Sequence, residues 1–273
     1  MLKIDCKNKT IVELIQQKKD FVEKCKAKSG TWNEVRSTDN FVEKTLSFPW
    51  GERKVLYPKM PENNYMLQAS RSITINKNDT EQEIKEYLEQ NVFMLLEADH
   101  VRINELENLF GKDYYSKVGT VCEFGFRSPK LLNFYKQKNV KHQIGFEIND
   151  FNVSLGKHLG FKCTRFDLSL DNEENLLLND VDLLLCYHVL EHLPNPFEGL
   201  RKIAAKIKQG AIMHLEIPVE PDGPRIKYGH LYPFHPLDLH HMCKELNLKI
   251  IFATNETHKN PPGPWIERYV VTK

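Results

Sequence analysis

The sequence predicts an α/β protein with a doubly wound, mostly parallel sheet and a mainly helical N-terminal extension. Three observations lead there. After Lys117, strand-length apolar runs alternate with amphipathic helical stretches, the pattern of parallel strands joined by crossover helices. Val181–Tyr187 is an unbroken apolar run of the kind buried on both faces of a parallel sheet. Before residue 115, most of the legible periodicity is helical.

The elements follow in order. Ile11, Leu14, Ile15 and Val22 share one face of a helix over 10–26. From Thr31 to Ser70 the pattern breaks into loops and one or two short strands around Phe48–Gly51 and Val55–Pro58. Thr80-Glu81-Gln82-Glu83 is a capping-box sequence that opens a helix with Ile84, Leu88, Val92 and Leu95 as its stripe. Asp99 caps a further helix through Leu106 and Phe110, which stops at Gly111. Residues 1–115 therefore form an extension with a lid, substrate or dimer role, and a homodimer is one expectation. In residues 116–273 the strands are Val118–Phe124, Gln143–Ile148, Lys162–Phe166, Val181–Tyr187 and Ala211–Ile217. Helices through Leu131–Tyr135, Val153–Leu159 and Pro196–Ile207 connect them. Ligands of such sheets bind at the carboxyl ends of the strands.

Composition narrows the partners. The 273 residues carry 38 Lys and Arg against 37 Asp and Glu, so no excess of positive charge advertises a nucleic acid. Eight lysines against four acids in residues 1–30 read as a solvated helix rather than a polyanion site. The six cysteines are scattered, without the close pairs that hold zinc. The chain opens Met-Leu-Lys-Ile-Asp, without the apolar stretch of a secretion signal, and no window approaches a membrane span of ~20 apolar residues. The expected setting is reducing, aqueous and cytoplasmic.

The chemistry-bearing residues sit at strand ends. Val121-Cys122-Glu123-Phe124-Gly125-Phe126-Arg127-Ser128 closes the first strand, where a glycine lets backbone approach a ligand and the next helix start offers its amides. A strand-ending Glu-x-Gly is as often a plain turn, so the acids that follow decide. Glu147 closes the second strand 22 positions beyond Gly125, where a carboxylate can accept both ribose hydroxyls of an adenosine. Asp167, followed by Leu168, closes the third strand and can meet an adenine amino group.

The fourth strand continues into Tyr187-His188-Val189-Leu190-Glu191-His192-Leu193-Pro194-Asn195-Pro196. This run resembles the fourth-strand motif of class I S-adenosylmethionine-dependent methyltransferases, in the large group with a His-Val-Leu-Glu-His-Leu-Pro-Asn-Pro type sequence. With Glu123, Glu147 and Asp167 in register, the resemblance covers about residues 115–255. It implies a Rossmann-like domain that binds S-adenosylmethionine and releases S-adenosylhomocysteine. Glu123 and Gly125 would line the methionine part, Glu147 the ribose, and Asp167 with Leu168 the adenine; Tyr187 and His188 would face the sulfonium. The first loop departs from the family's acid-x-Gly-x-Gly, because Arg127 stands at the second glycine. Arginine takes positive φ only at a cost. Either the loop runs farther from the cofactor, or Arg127 meets the cofactor's carboxylate or an anionic substrate, or it points outward.

Gly229-His230-Leu231-Tyr232-Pro233-Phe234-His235-Pro236 resembles the family's His-Leu-x-x-Phe segment before its penultimate helix. His230, His235, His240, His241 and Cys243 invite a metal, yet Leu239, Met242, Cys243 and Leu246 form the buried stripe of a helix opening at Pro236. No metal is expected. A hydroxyl acceptor needs a base near the methyl group. His230, His188 and His192 are the candidates, with Tyr187, Glu191 and His235 behind them, and Glu191 and His192 can equally serve to fix the turn.

The expected activity is O-methylation of a small molecule or of a sugar or glycan. Arg225, Lys227 and Arg268, among the proline-rich stretches 218–224 and 261–264, suit a phosphorylated or nucleotide-linked acceptor. N-methylation is the alternative within the class, and a degenerate scaffold subunit is the alternative outside it, with Arg127 as its support. A nicotinamide oxidoreductase is disfavoured by the missing Gly-x-Gly-x-x-Gly.

Overall fold

The computed structural model describes residues 41–59, 89–223, 229–257 and 265–273. The expected helices at 10–26 and from Thr80, and the cations Arg225 and Lys227, lie outside or begin outside these residues. The described residues fall into two compact units, one of residues 89–166 and one joining 41–59 to the residues after 166.

In the first unit, helix α1 (Glu97–Phe110) buries Ile103 and Leu106. It begins two residues before Asp99, which caps it from the first turn: its carboxylate accepts the Leu96 N–H at 2.8 Å. It ends at Gly111, whose φ of 96° few side chains tolerate and whose N–H closes on the Glu107 carbonyl at 2.9 Å. Strand β3 (Thr120–Phe124) is buried along its whole length. It pairs in parallel with β4 (His142–Glu147), and β4 with β5 (Lys162–Arg165), giving the order β5-β4-β3. Helix α2 (Lys130–Gln137) buries Leu131, Leu132 and Tyr135, the expected stripe. Helix α3 (Asp150–His158) starts at Asn149, whose side chain accepts the N–H groups of Phe151 and Asn152. Phe126 packs so closely on β4 that a Cβ at Gly145 would lie 2.6 Å from its ring.

In the second unit, β6 (Leu183–Tyr187) is fully buried and parallel to β7 (Ile212–Val219). Helix α4 (Pro196–Lys206) has proline in its first turn, where no N–H is missed, and Asn195 as its cap. After α5 (Asp238–Glu245), the antiparallel pair β8 (Lys249–Thr257) and β9 (Trp265–Thr272) completes the order β6-β7-β9-β8. The helix expected to open at Pro236 opens instead at Asp238, because Leu237 takes a left-handed φ of 69°. Pro218 is tolerated in β7 because pairing with β6 ends at Glu216, so no ladder bond is lost on that side.

Residues 41–58 supply a feature the sequence barely signalled. β1 (Phe41–Phe48) and β2 (Gly51–Pro58) form a hairpin turned by Pro49 and Trp50. Arg53 makes a buried two-point ion pair with Asp238 at the start of α5. The Leu56 N–H bonds the Leu231 carbonyl at 3.1 Å, and Phe48 and Trp50 pack on Phe197. The architecture is a mixed, mostly parallel central sheet with flanking helices, as expected from sequence. No helix among the described residues is long and apolar enough to cross a membrane.

Candidate active site

Each unit carries part of the expected residue set. In the first, Glu123 ends β3 with its carboxyl buried, and its Oε2 has no hydrogen-bond partner. Burial, with repulsion from Asp99, pushes this carboxyl well above the usual glutamate range, against the pull of Arg102. Asp99 and Arg102, an ion pair at 3.1 Å on α1, are neighbours the sequence did not reveal.

Beyond Glu123 the chain turns sharply. Gly125 has φ 66° and donates its N–H to the Phe146 carbonyl at 2.8 Å. Arg127 also adopts positive φ, 38°, so the backbone does at arginine what the family's glycine would do. Its side chain is exposed, and its N–H donates to Glu147 Oε2 at 2.9 Å. Glu147 is no solvated strand-end acid. It is buried, and its Oε1 accepts the Asn149 N–H at 2.9 Å. Burial raises its pKa, and these amides hold it back. The Asn152 side chain and the Ile148 backbone also bond this carboxylate, so it is held ionised and fixed in place by its own chain.

In the second unit, Asp167 Oδ1 accepts the N–H groups of Ser169 and Leu170 at 2.8 and 3.3 Å. The buried Lys202 ammonium donates to the carbonyls of Leu168 and Asp171, which fixes this loop from behind. The Tyr187 hydroxyl shares a 2.9 Å hydrogen bond with His214 Nδ1.

His188 follows with φ 52° and lies between two carboxylates, Nδ1 at 3.1 Å from Glu191 Oε1 and Nε2 at 2.8 Å from Glu216 Oε1. Burial opposes its charge, but the two carboxylates outweigh it and raise its pKa to about 9. Glu191 is fully buried; burial opposes its ionisation, yet His188 leads the nearby imidazoles in lowering its pKa to about 2. The backbone carbonyl of Glu191 accepts the N–H groups of Leu231 and Tyr232, which brings the 229–232 segment alongside. His192 donates its Nδ1–H to the Gly229 carbonyl at 2.8 Å. His230 donates its Nδ1–H to Glu220 Oε2 at 2.7 Å. The two rings stand 5.1 Å apart, and His230 Nε2 lies 4.0 Å from Glu191 Oε1.

All three candidate catalytic histidines thus share one cluster. Glu216 and Glu220, from β7 and the residue after it, are the members that sequence reasoning missed. The signal was present in His214-Leu215-Glu216, whose alternation puts His214 and Glu216 on one face. The remaining histidines part company. His241 stacks on Trp50, His240 lies against Tyr269, and burial pushes the Cys243 thiol up to about 12. Arg268, expected near an anionic acceptor, is instead buried in β9 with Nη1 3.5 Å from Glu216.

A family described as the methyltransferase domain matches residues 97–252, more than half of the chain. No curated protein matches in sequence. Among solved structures, an S-adenosylmethionine-dependent methyltransferase from Mesorhizobium loti aligns with TM-score 0.50 and 11% identity, covering 64% of this chain and 97% of its own. The N-terminal domain of EvdMO1, solved with S-adenosylhomocysteine and D-fucose, aligns with TM-score 0.50 and 12% identity over 71% and 97% of the two chains. At such identities these neighbours speak for the fold, and the family match speaks for kinship. The protein belongs to the class I methyltransferases, enzymes that take their methyl group from S-adenosylmethionine.

Proposed function

We propose that this methyltransferase acts on a hydroxyl oxygen of a small molecule or glycan. The observation that carries the reading is the Glu220–His230 pair, a buried carboxylate 2.7 Å from Nδ1 that fixes the ring and leaves Nε2 as the proton-accepting nitrogen. When bound, S-adenosylmethionine supplies a sulfonium methyl for in-line displacement and departs as neutral S-adenosylhomocysteine. His230 Nε2 would then take the proton that the acceptor hydroxyl gives up as its oxygen is methylated. A nitrogen acceptor that arrives unprotonated would need less help from a base, so the arrangement favours oxygen.

The cofactor fits the residues present. The orphaned Glu123 oxygen suits an ammonium group, and Glu147, a buried carboxylate fixed at the end of β4, suits ribose hydroxyls by resemblance. By resemblance, Gly125 of the first unit would line the methionine part; in the second unit Asp167 with Leu168 would line the adenine, and Tyr187 with His188 would face the sulfonium. Arg127, with an exposed side chain on a cofactor loop, suits the cofactor's carboxylate or an anionic acceptor. His188, held as an imidazolium, balances the charge of Glu191 and Glu216 and does not suit proton abstraction, and His192 is the reserve base. The four described cysteines, free and buried, support a cytoplasmic setting.

The test is His230→Asn against a panel of sugar and small-molecule alcohols, with turnover and S-adenosylhomocysteine affinity measured together. Turnover should fall 10²–10⁴-fold, as for loss of a general base, while affinity holds. Turnover within a few-fold of wild type would refute His230 as the base.

A further inference from the structure

Glu191, His192 and His230 each bring one nitrogen or oxygen of ligand type to within 4.8 Å of the others. Both imidazoles are already oriented as metal-binding histidines are, Nδ1–H given to an outer acceptor: the Gly229 carbonyl for His192 and the Glu220 carboxylate for His230. With Nδ1 given outward, Nε2 is the ligating nitrogen of each ring, and that of His230 lies 4.0 Å from Glu191 Oε1. Independently, Glu191 Oε2 is buried with no hydrogen-bond partner, while Oε1 serves His188. A buried carboxylate oxygen left bare is costly unless a cation meets it.

We propose that Glu191, His192 and His230 hold a divalent first-row transition cation of zinc type, through one carboxylate and two imidazole nitrogens. Two histidines and a glutamate with positions left open are a donor set of catalytic zinc. Ligand atoms about a tetrahedral ion with bonds of ~2.1 Å lie roughly 3.4 Å apart. The 4.0 Å between His230 Nε2 and Glu191 Oε1 closes to that value with small side-chain rotations. Of the five residues that invited a metal from sequence, only His230 takes part.

The inference rests on the hydroxyl-transfer reading for what the ion would do, and it replaces His230 as the base within that reading. Bound there, the ion would offer open positions to the acceptor oxygen and ease loss of its proton to solvent, and His230 would serve as a ligand rather than as a lone base.

The full-length protein, stripped with chelator and dialysed, is titrated with Zn(II) by calorimetry and with Co(II) by visible absorption. One ion per chain should bind, with Co(II) ligand-field bands. Glu220→Gln should weaken Zn(II) binding roughly 10–100-fold, the usual effect of losing an outer-shell partner. His192→Ala, at a half-buried side chain, should abolish the stoichiometric site and the bands while S-adenosylhomocysteine still binds. Glu191→Gln repeats the test where it folds. Binding that is absent, or equally present in His192→Ala, overturns the proposal. Turnover that survives stripping but collapses in His230→Asn overturns the ion and leaves the base reading standing. Turnover that survives His230→Asn removes the base reading, whatever the ion does.

Discussion

Replacing Arg53 with methionine tests how firmly the hairpin holds the segment that carries His230. Arg53 and Asp238 are 9% and 1% exposed, and Nε donates to Oδ2 at 2.8 Å while Nη2 reaches Oδ1. Removing one partner of a buried pair strands the other charge, typically at 3–5 kcal/mol. Asp238 Oδ2 would keep the His235 N–H at 3.0 Å and the Tyr232 hydroxyl at 3.4 Å, which places the cost at the lower end, about 3 kcal/mol. At ~2–4 °C per kcal/mol for a chain of this size, Tm should drop by roughly 6–12 °C. The assay is urea and thermal unfolding followed by circular dichroism, repeated for Asp238→Leu and for the double variant. Since an apolar pair often replaces a buried ion pair at little cost, the double variant should lose less than the two single losses added together. A single loss under about 1 kcal/mol, or strict additivity, would refute the reasoning, because a stranded buried charge allows neither.

Three further outcomes follow from the strand ends. Glu147→Ala should weaken S-adenosylhomocysteine binding by about 1.5–3 kcal/mol, roughly 10–150-fold by calorimetry, as expected for hydrogen bonds to a charged group. Glu123 has a folded pKa above its unfolded value, so its ionisation costs stability as pH rises past the ordinary glutamate value of 4.5. Glu123→Gln should therefore raise Tm at neutral pH, lose that advantage in acid, and weaken cofactor binding; a lower Tm at pH 7 would contradict the argument. His188 has the opposite chemistry, a base whose folded pKa is raised to about 9. Its contribution to stability is complete below the unfolded value of 6.5 and is lost as pH rises through about 9. In chelator-treated protein, Tm between those limits should fall more steeply for wild type than for His188→Gln.

The alternating core was legible because periodicity reports burial. β3 through β7 read correctly to within a few residues, and Asn195-Pro196 and Gly111 marked helix ends by their ordinary chemistry. β9 was opaque for a physical reason. Glu267 and Arg268 look like surface charges, yet both are buried, one taking the Leu237 N–H and the Tyr269 hydroxyl and the other beside Glu216. The β1–β2 hairpin was similarly muted, since Val42 is exposed and the inward residues include Arg53. The histidines of the site could be named from a local motif. Their carboxylate partners Glu216 and Glu220 could not, because only strand pairing and chain reversal bring residue 220 to residue 230.

Arg127 and His188 stand just past the ends of β3 and β6 with φ of 38° and 52°. A non-glycine residue so placed pays on the order of 1–2 kcal/mol in backbone strain, whatever its side chain does. Thermodynamic selection alone would therefore erode both positions toward glycine, and the protein would gain robustness as it did so. If the two side chains serve the cofactor or acceptor as proposed, that service is set against this strain. A library screened for heat resistance alone and a second screened for methyl transfer should diverge first at these two sites, which makes them sensitive markers of whether an engineered descendant still catalyses its reaction or has merely become a sturdier fold.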